Sequence, residues 1–197
     1  MASQMQAMRH AVEAVGQRMK GIGFSNVRAY VVAHHGEAAW KKLLSTMSQH
    51  DQSELGAAVP VGWYETDLFA RLLRKVDLTF GTGNLRLLDQ VGRYEAEQDF
   101  NRVLRLLIRV VTPTQIFKAE RRLWTHFQDS GSWTVTSLPK GMQGVLSGWA
   151  VDEALCIELA GYLVRLVEFT GGRNVRVLHT ECRARGGPDC VFDFRWD

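Results

Sequence analysis

Three cysteines and a histidine are the residues whose types and spacing suit a metal site. Cys182 and Cys190 flank the turn-forming run Arg185-Gly186-Gly187-Pro188-Asp189. A β-hairpin that closes there places the two cysteines opposite each other, with Cβ atoms about 5 Å apart. Cys156 is the third cysteine, and His179 lies just upstream of the pair. Thiolates and neutral imidazole suit a tetrahedral zinc ion, although a cross-strand disulfide or three buried thiols also fit these residues.

The fourth ligand depends on strand parity. Side chains alternate between the two faces of a strand, so Cys182 shares a face with Thr180. His179 and Glu181 point the other way, and either can join the cysteines only if a β-bulge or bend distorts the strand. We prefer His179, because imidazole suits a site that contains thiolates, and Glu181 is the alternative.

A helix and a small sheet must position these residues. Asp152 is predicted to cap a helix that runs through Phe169, with Cys156 in its first or second turn. The alternating run SWTVTSL after Gly131 predicts a strand, and three more are predicted over residues 143–151, 174–182 and 190–196. Earlier residues show apolar side chains at helical spacing, which predicts helices over 3–20, 25–32, 37–47, 51–57, 65–79 and 84–110 and another from Pro113. The predicted class is α+β: a helical N-terminal two-thirds followed by ββαββ with a four-stranded antiparallel sheet.

The composition is that of an ordinary globular protein. The chain has 197 residues, of which 46% are hydrophobic and 23% charged, and a net charge of +3. We see no repeat or linker and expect a single domain over 1–197, with a helical part over 1–130 and a sheet part over 131–197. No run approaches the ~20 apolar residues of a membrane span. The first residues lack the apolar segment of a secretory signal, so we expect a cytoplasmic protein.

The order of Cys156, His179, Cys182 and Cys190, followed by Val191-Phe192-Asp193-Phe194, resembles the C-terminal signature of the 4-vinyl reductase domain. That domain shares a superfamily with subunits of the TRAPP vesicle-tethering complex and with haem nitric-oxide-binding domains. The resemblance implies the same helical half followed by ββαββ, and a structural Zn2+ held by these four side chains. His179 stands where the family has an acidic ligand. Segments such as FGTGN and ERRLWTHFQDSGSW also resemble a myxobacterial paralogous family of unknown function.

The sequence contains no GxSxG, HExxH, Walker or GxGxxG motif in a catalytic context, so we expect no enzyme. The resemblance implies an apolar cavity between the helices and the sheet. Six aromatic residues are candidates to line it, although aromatic residues at helical spacing also form ordinary core: Trp124, Phe127, Trp133, Trp149, Tyr162 and Phe169.

We therefore predict a zinc-containing, non-catalytic regulatory module that binds a small hydrophobic or aromatic ligand and signals through a protein partner. The alternative is a ligand-free dimeric adaptor or scaffold of the TRAPP type. The resemblance implies a homodimer that pairs through the helical half.

Two further partners are not expected. Basic residues of the predicted helices, such as Arg71 and Arg74, alternate with acidic ones such as Asp77 and Glu95. We interpret these as solvated helix faces rather than a surface for nucleic acid. No motif supports an axial haem ligand at His34, His35 or His126 in the helical part.

Overall fold

The computed structural model describes residues 16–100, 111–113, 115, 124–149 and 152–197. Its first half contains β1 (Arg18–Lys20), α1 (Ile22–His35), α2 (Glu37–Ser45), α3 (Gln49–Ala57), β2 (Trp63–Glu65), α4 (Thr66–Phe80) and α5 (Leu87–Asp99). The second half contains β3 (Ser132–Leu138), β4 (Gly141–Ser147), α6 (Glu153–Phe169), β5 (Arg176–Glu181) and β6 (Cys190–Arg195). No helix in these ranges is long and apolar enough to cross a membrane.

The four C-terminal strands form one antiparallel sheet in the order β3-β4-β6-β5. Side chains on one face of this sheet are fully buried, among them Met142, Leu146, Phe192 and Phe194. Neighbouring positions along the strands are less buried, as expected where one face of an antiparallel sheet packs on the core. The predicted α+β class with a four-stranded antiparallel sheet is confirmed.

Helices α5 and α6 lie in direct backbone contact. A Cβ at Gly92 would come 1.9 Å from the carbonyl oxygen of Glu158, and a Cβ at Gly161 would come 2.2 Å from that of Asp89. Only glycine allows so close an approach. The contact fixes which residues of the two helices face each other.

Local sequence signals located α6 and β3. The Asp152 side chain accepts a hydrogen bond of 2.8 Å from the Ala154 N–H and caps α6, which ends at Phe169 as predicted. Strand β3 has the predicted bounds. In the helical part, Ser48 caps α3 by accepting from the Asp51 N–H, so this helix begins earlier than expected.

The predicted order, a helical N-terminal two-thirds followed by ββαββ, is not supported, because β1 and β2 lie among the helices. Arg18–Lys20, predicted to end a helix, form β1 and pair with Trp63–Glu65 of β2. The pairing joins segments far apart in sequence, which apolar spacing within one segment does not reveal. The helix predicted over 84–110 ends at Asp99, because Phe100 adopts φ −102° and ψ 87°. Parts of the helices predicted over 3–20 and 84–110, and most of the one from Pro113, fall outside the described residues.

Candidate metal centre and ligand cavity

The three cysteines and His179 converge at one buried point. Their ligand atoms all lie within 4.8 Å of one another. The Cys156 sulfur lies 3.5 Å from that of Cys190 and 3.9 Å from that of Cys182. A disulfide needs about 2.05 Å, so these are free thiols. A tetrahedral ion with metal–sulfur bonds of about 2.3 Å separates its sulfurs by about 3.8 Å, so the observed spacing suits a metal ion.

Three different elements bring the sulfurs together. Cys156 lies in the first turn of α6, Cys182 follows β5 directly, and Cys190 opens β6. A 3-10 turn (Arg183–Arg185) lies between β5 and β6. The guanidinium of Arg185 holds this turn in place by donating to the Glu153 carboxylate at 2.7 Å and to the His179 carbonyl at 2.9 Å. The loop is thereby held against both the start of α6 and strand β5.

A β-bulge places His179, rather than Glu181, among the cysteines. The pairing of β5 with β6 steps from His179↔Phe192 to Glu181↔Val191, which leaves Thr180 as the extra residue. The His179 ring stacks on Phe192 with centroids 4.5 Å apart. Its Nε2 atom is buried and has no hydrogen-bond partner. The distortion that His179 needs in order to reach the cluster is therefore present.

The thiols differ in their affinity for a proton. Hydrogen bonds from Cys156 and Cys190, with a smaller contribution from His179, hold the pKa of Cys182 far below the ordinary thiol value. Hydrogen bonds to Cys182 and Cys190, together with burial, raise the pKa of Cys156. The cluster thus stabilises negative charge on one sulfur, and thiolate is the form that binds metals.

A second feature is a cavity of about 490 Å³ between β1, α1 and α4 on one side and α5 and α6 on the other. Its wall is largely apolar and includes Met19, Phe69, Phe100, Trp124 and Leu159. Phe127, which is 44% exposed, also lines it and lies on the solvent side.

Of the six aromatic candidates, the structure places three on the cavity wall: Trp124, Phe127 and Tyr162. The other three do not line it. Trp133 and Trp149 pack edge-on against Trp124, at centroid distances of 5.8 Å and 5.4 Å, and fill the core next to the sheet. Phe169 ends α6 and faces Phe100 at 6.2 Å. Trp133 lies in a predicted strand and Phe169 in the predicted helix, whereas Trp149 follows β4, which ends at Ser147 instead of reaching residue 151.

Two buried glutamates also line the cavity: Glu95 of α5 is 4% exposed and Glu158 of α6 is 8% exposed. Asp99, one turn beyond Glu95, accepts hydrogen bonds from Asn26 Nδ2 at 2.8 Å and Tyr162 Oη at 3.0 Å. Glu95 Oε1 is buried without a hydrogen-bond partner.

Burial, followed by the charges of Glu158 and Asp99, raises the pKa of Glu95 well above its ordinary value. Burial, followed by the charge of Asp99, raises the pKa of Glu158 to about 8. The interpretation of Glu95 and Asp77 as parts of solvated faces is wrong, since Asp77 is also buried. Glu95 lies on the apolar stripe of α5 formed by residues 88, 91, 92, 95 and 96, which is the signal that was missed.

The fold is shared with known structures, although no protein-family model and no curated protein match the sequence. An H-NOX protein from S. oneidensis in the Fe(II)NO ligation state matches with a TM-score of 0.71 and 16% identity, covering 91% of this chain and 99% of that chain. An Fe(II) unliganded H-NOX protein from K. algicida gives 0.67 and 13%, covering 91% and 97%. A structure from work on haem distortion in the H-NOX family gives 0.65 and 12%, covering 91% and 95%. At these identities the likeness shows the fold alone.

These neighbours overturn two expectations. They are H-NOX proteins rather than 4-vinyl reductase or TRAPP domains, so the family assignment based on cysteine spacing is wrong. The spacing belongs to one hairpin and one helix turn, and it does not specify the rest of the fold. The structural Zn2+ was implied by that family, and this expectation is wrong as well, because the neighbours are described with Fe(II) and haem.

The cavity wall that the described residues form does not fit a haem. Axial ligands are usually histidine or cysteine, with methionine or tyrosine in some proteins. Among the described histidines, from His34 to His179, none lines the cavity, and the cysteines lie in the other cluster. Residues 101–123 contain no histidine, cysteine, methionine or tyrosine. Met19 lines the cavity without a histidine to complete a ligand pair, and the Tyr162 hydroxyl is bound to Asp99.

Proposed function

We propose that this chain is a non-catalytic, ligand-binding sensor domain with an H-NOX fold. The observation that carries the proposal is the cavity of about 490 Å³. Small-molecule sites occupy about 300–1,000 Å³ and combine an apolar wall with a few polar groups. The aromatic wall with Glu95, Asp99 and Asn26 has this character. In the ligand-free adaptor alternative, side chains would fill this space, so the open volume favours binding.

The lining residues also support a binding role over a catalytic one. The described part of the cavity wall includes no serine, threonine or cysteine, so it lacks the usual nucleophiles. The polar groups present are carboxyl groups, amides, one lysine and one tyrosine.

A ligand in this cavity would touch both α5 and α6, and these helices contact each other through glycine. A change in the distance between Glu95 and Glu158 would therefore require the helices to move as units. We propose that this movement is the signal and that a protein partner receives it, with a homodimer as one possible assembly. We also propose that residues 1–197 act as a single domain.

The cysteine cluster is proposed as a separate metal site, with Cys156, His179, Cys182 and Cys190 as ligands. What supports it is the sulfur spacing and the unpartnered Nε2 of His179. These four residues lie at the start of α6 and in the last hairpin. Four protein ligands leave no open position for chemistry.

Native mass spectrometry of the full chain tests the sensor proposal. We expect a small organic molecule to be retained and to be released on denaturation. Leu159→Trp places an indole in the cavity and should remove the adduct. Leu178→Trp is the matched control, because Leu178 is 65% exposed on β5 and away from the cavity.

Three results would contradict the proposal. A spectrum without any retained organic molecule favours the ligand-free adaptor. An adduct that survives Leu159→Trp lies somewhere other than this cavity. An adduct with the mass of haem would contradict the absence of axial ligands from the described wall.

A further inference from the structure

Glu95 is a buried carboxyl group that the protein leaves without a complete set of partners. Its side chain is only 4% exposed, it lines the cavity, and its Oε1 atom has no hydrogen-bond partner. A buried polar group without a partner costs about 1–3 kcal/mol, and more when it is charged. Such a group in a cavity wall marks the position at which a ligand would supply the missing donor.

The neighbours of Glu95 make the site acidic. Glu158 and Asp99 lie close enough that their charges act on Glu95. Among the described residues, no arginine, lysine or histidine forms an ion pair with any of these three acids. Lys20 also lines the cavity, but its Nζ donates to the Val61 carbonyl at 2.8 Å and lies 4.2 Å above the Trp63 ring. The Lys20 ammonium group therefore interacts outside the cluster of Glu95, Glu158 and Asp99.

The rest of the wall suits an apolar body. Phe69, Trp124 and Leu159 are buried around the cavity, and Phe100 lies beside them. A hydrated metal ion would leave these apolar surfaces unused. Aromatic faces also attract cations, which adds to the effect of the acids.

We infer that the cavity takes a small organic cation, a protonated amine on an apolar or aromatic body, with the ammonium group at Glu95 and the body among the aromatic side chains. An ammonium group has three donors and a positive charge, and a positive charge beside the carboxyl groups favours their ionised, hydrogen-bond-accepting form. This inference rests on the proposed function, since it names the ligand class of the same cavity.

Isothermal titration calorimetry with the full chain tests it by means of two probes of nearly equal size. The probes are 2-phenylethylammonium and its neutral counterpart 2-phenylethanol. We expect the ammonium to bind about tenfold more tightly or better, as for a hydrogen bond between charged groups. Glu95→Gln keeps the shape of the side chain and removes its charge, so it should abolish this preference. Glu97→Gln is the control. Glu97 lies on the same helix as Glu95, but it pairs with Arg165 of α6 at 2.6 Å and does not line the cavity.

The outcomes separate the inference from the proposed function. Equal or tighter binding of 2-phenylethanol by the unmodified protein overturns the cation and leaves the ligand-binding cavity in place. An ammonium preference that survives Glu95→Gln also overturns the inference. If neither probe binds, the inference is also overturned. If native mass spectrometry then shows no retained molecule either, the sensor proposal is overturned as well. The comparison of the two probes uses the unmodified protein, so its result does not depend on whether a variant folds.

Discussion

Gly92 of α5 lies against the backbone of Glu158 on α6, where a Cβ would come 1.9 Å from the Glu158 carbonyl oxygen. This contact holds together the two helices that carry the acidic side of the cavity. Gly92→Ala should therefore push them apart and lower the free energy of unfolding by about 1–3 kcal/mol, the usual cost of overpacking. Denaturant unfolding measures it.

Gly56→Ala is the matched control for that substitution. Gly56 lies in α3, and a Cβ there would meet no atom within 4 Å. Alanine should be neutral or stabilise the protein by up to about 1 kcal/mol, because it favours the helix. A Gly92→Ala variant as stable as Gly56→Ala would show that the helices do not touch as described.

The cysteine cluster should bind about one thiophilic metal ion per chain. Metal-free protein titrated with Co2+ alone should develop the visible absorption bands of tetrahedral thiolate coordination. Cys182→Ser should weaken binding and lower the melting temperature of the metal-loaded protein by several degrees, because metal binding contributes to folding free energy.

The bulge at Thr180 supplies the control for the histidine ligand. His179→Ala should weaken Co2+ binding, whereas Glu181→Ala should not, since Glu181 is outside the cluster. Equal losses for both variants would contradict this assignment. Protein without any affinity for Co2+ would contradict the metal site itself.

Burial of Glu95 should make stability depend on pH. Its pKa is raised in the folded chain above the ordinary value of 4.5, so the unfolded chain releases the proton first as pH rises. The folded state is then penalised from about pH 4.5 up to the folded pKa, and the penalty persists above it. The other titratable groups on the cavity wall come from three elements: Asp99 of α5, Glu158 and Tyr162 of α6, and Lys20 of β1.

Glu95→Gln should remove that penalty. The variant should gain free energy of unfolding relative to the unmodified protein, and the gain should be larger at about pH 7 than at about pH 4. Glu97→Gln, which loses the ion pair with Arg165, should show no such gain. Denaturant unfolding at both pH values checks the sign, and a gain that shrinks as pH rises would contradict it.

The parts of the fold that the sequence predicted are those with local signals. Asp152 has a side chain that caps a helix, and SWTVTSL alternates along one strand, so α6 and β3 have the predicted bounds at Phe169 and Leu138. Strands β1 and β2 are three residues each, and they pair with each other although they lie far apart in the sequence. Nothing within either segment indicates that pairing.

The candidate sites divide in the same way. Residue type alone selected the cysteines, but the position of His179 depended on a bulge at Thr180 that no residue type encodes. Glu95 had a detectable signal, a carboxyl group on an apolar helix stripe. The place of Glu95 in an acidic cavity wall could not be predicted from that signal, because it depends on α6, which packs against the stripe and brings Glu158 beside Glu95.

We propose above that a small organic ligand occupies the cavity between β1, α1 and α4 on one side and α5 and α6 on the other. Methyl-labelled methionine NMR with added 2-phenylethylammonium tests it most directly, because Met19 lines the cavity whereas Met142 is fully buried in the sheet. We predict a saturable shift of the Met19 methyl signal and an unchanged Met142 signal. A Met19 signal that does not move, or one that moves together with Met142, would contradict the account.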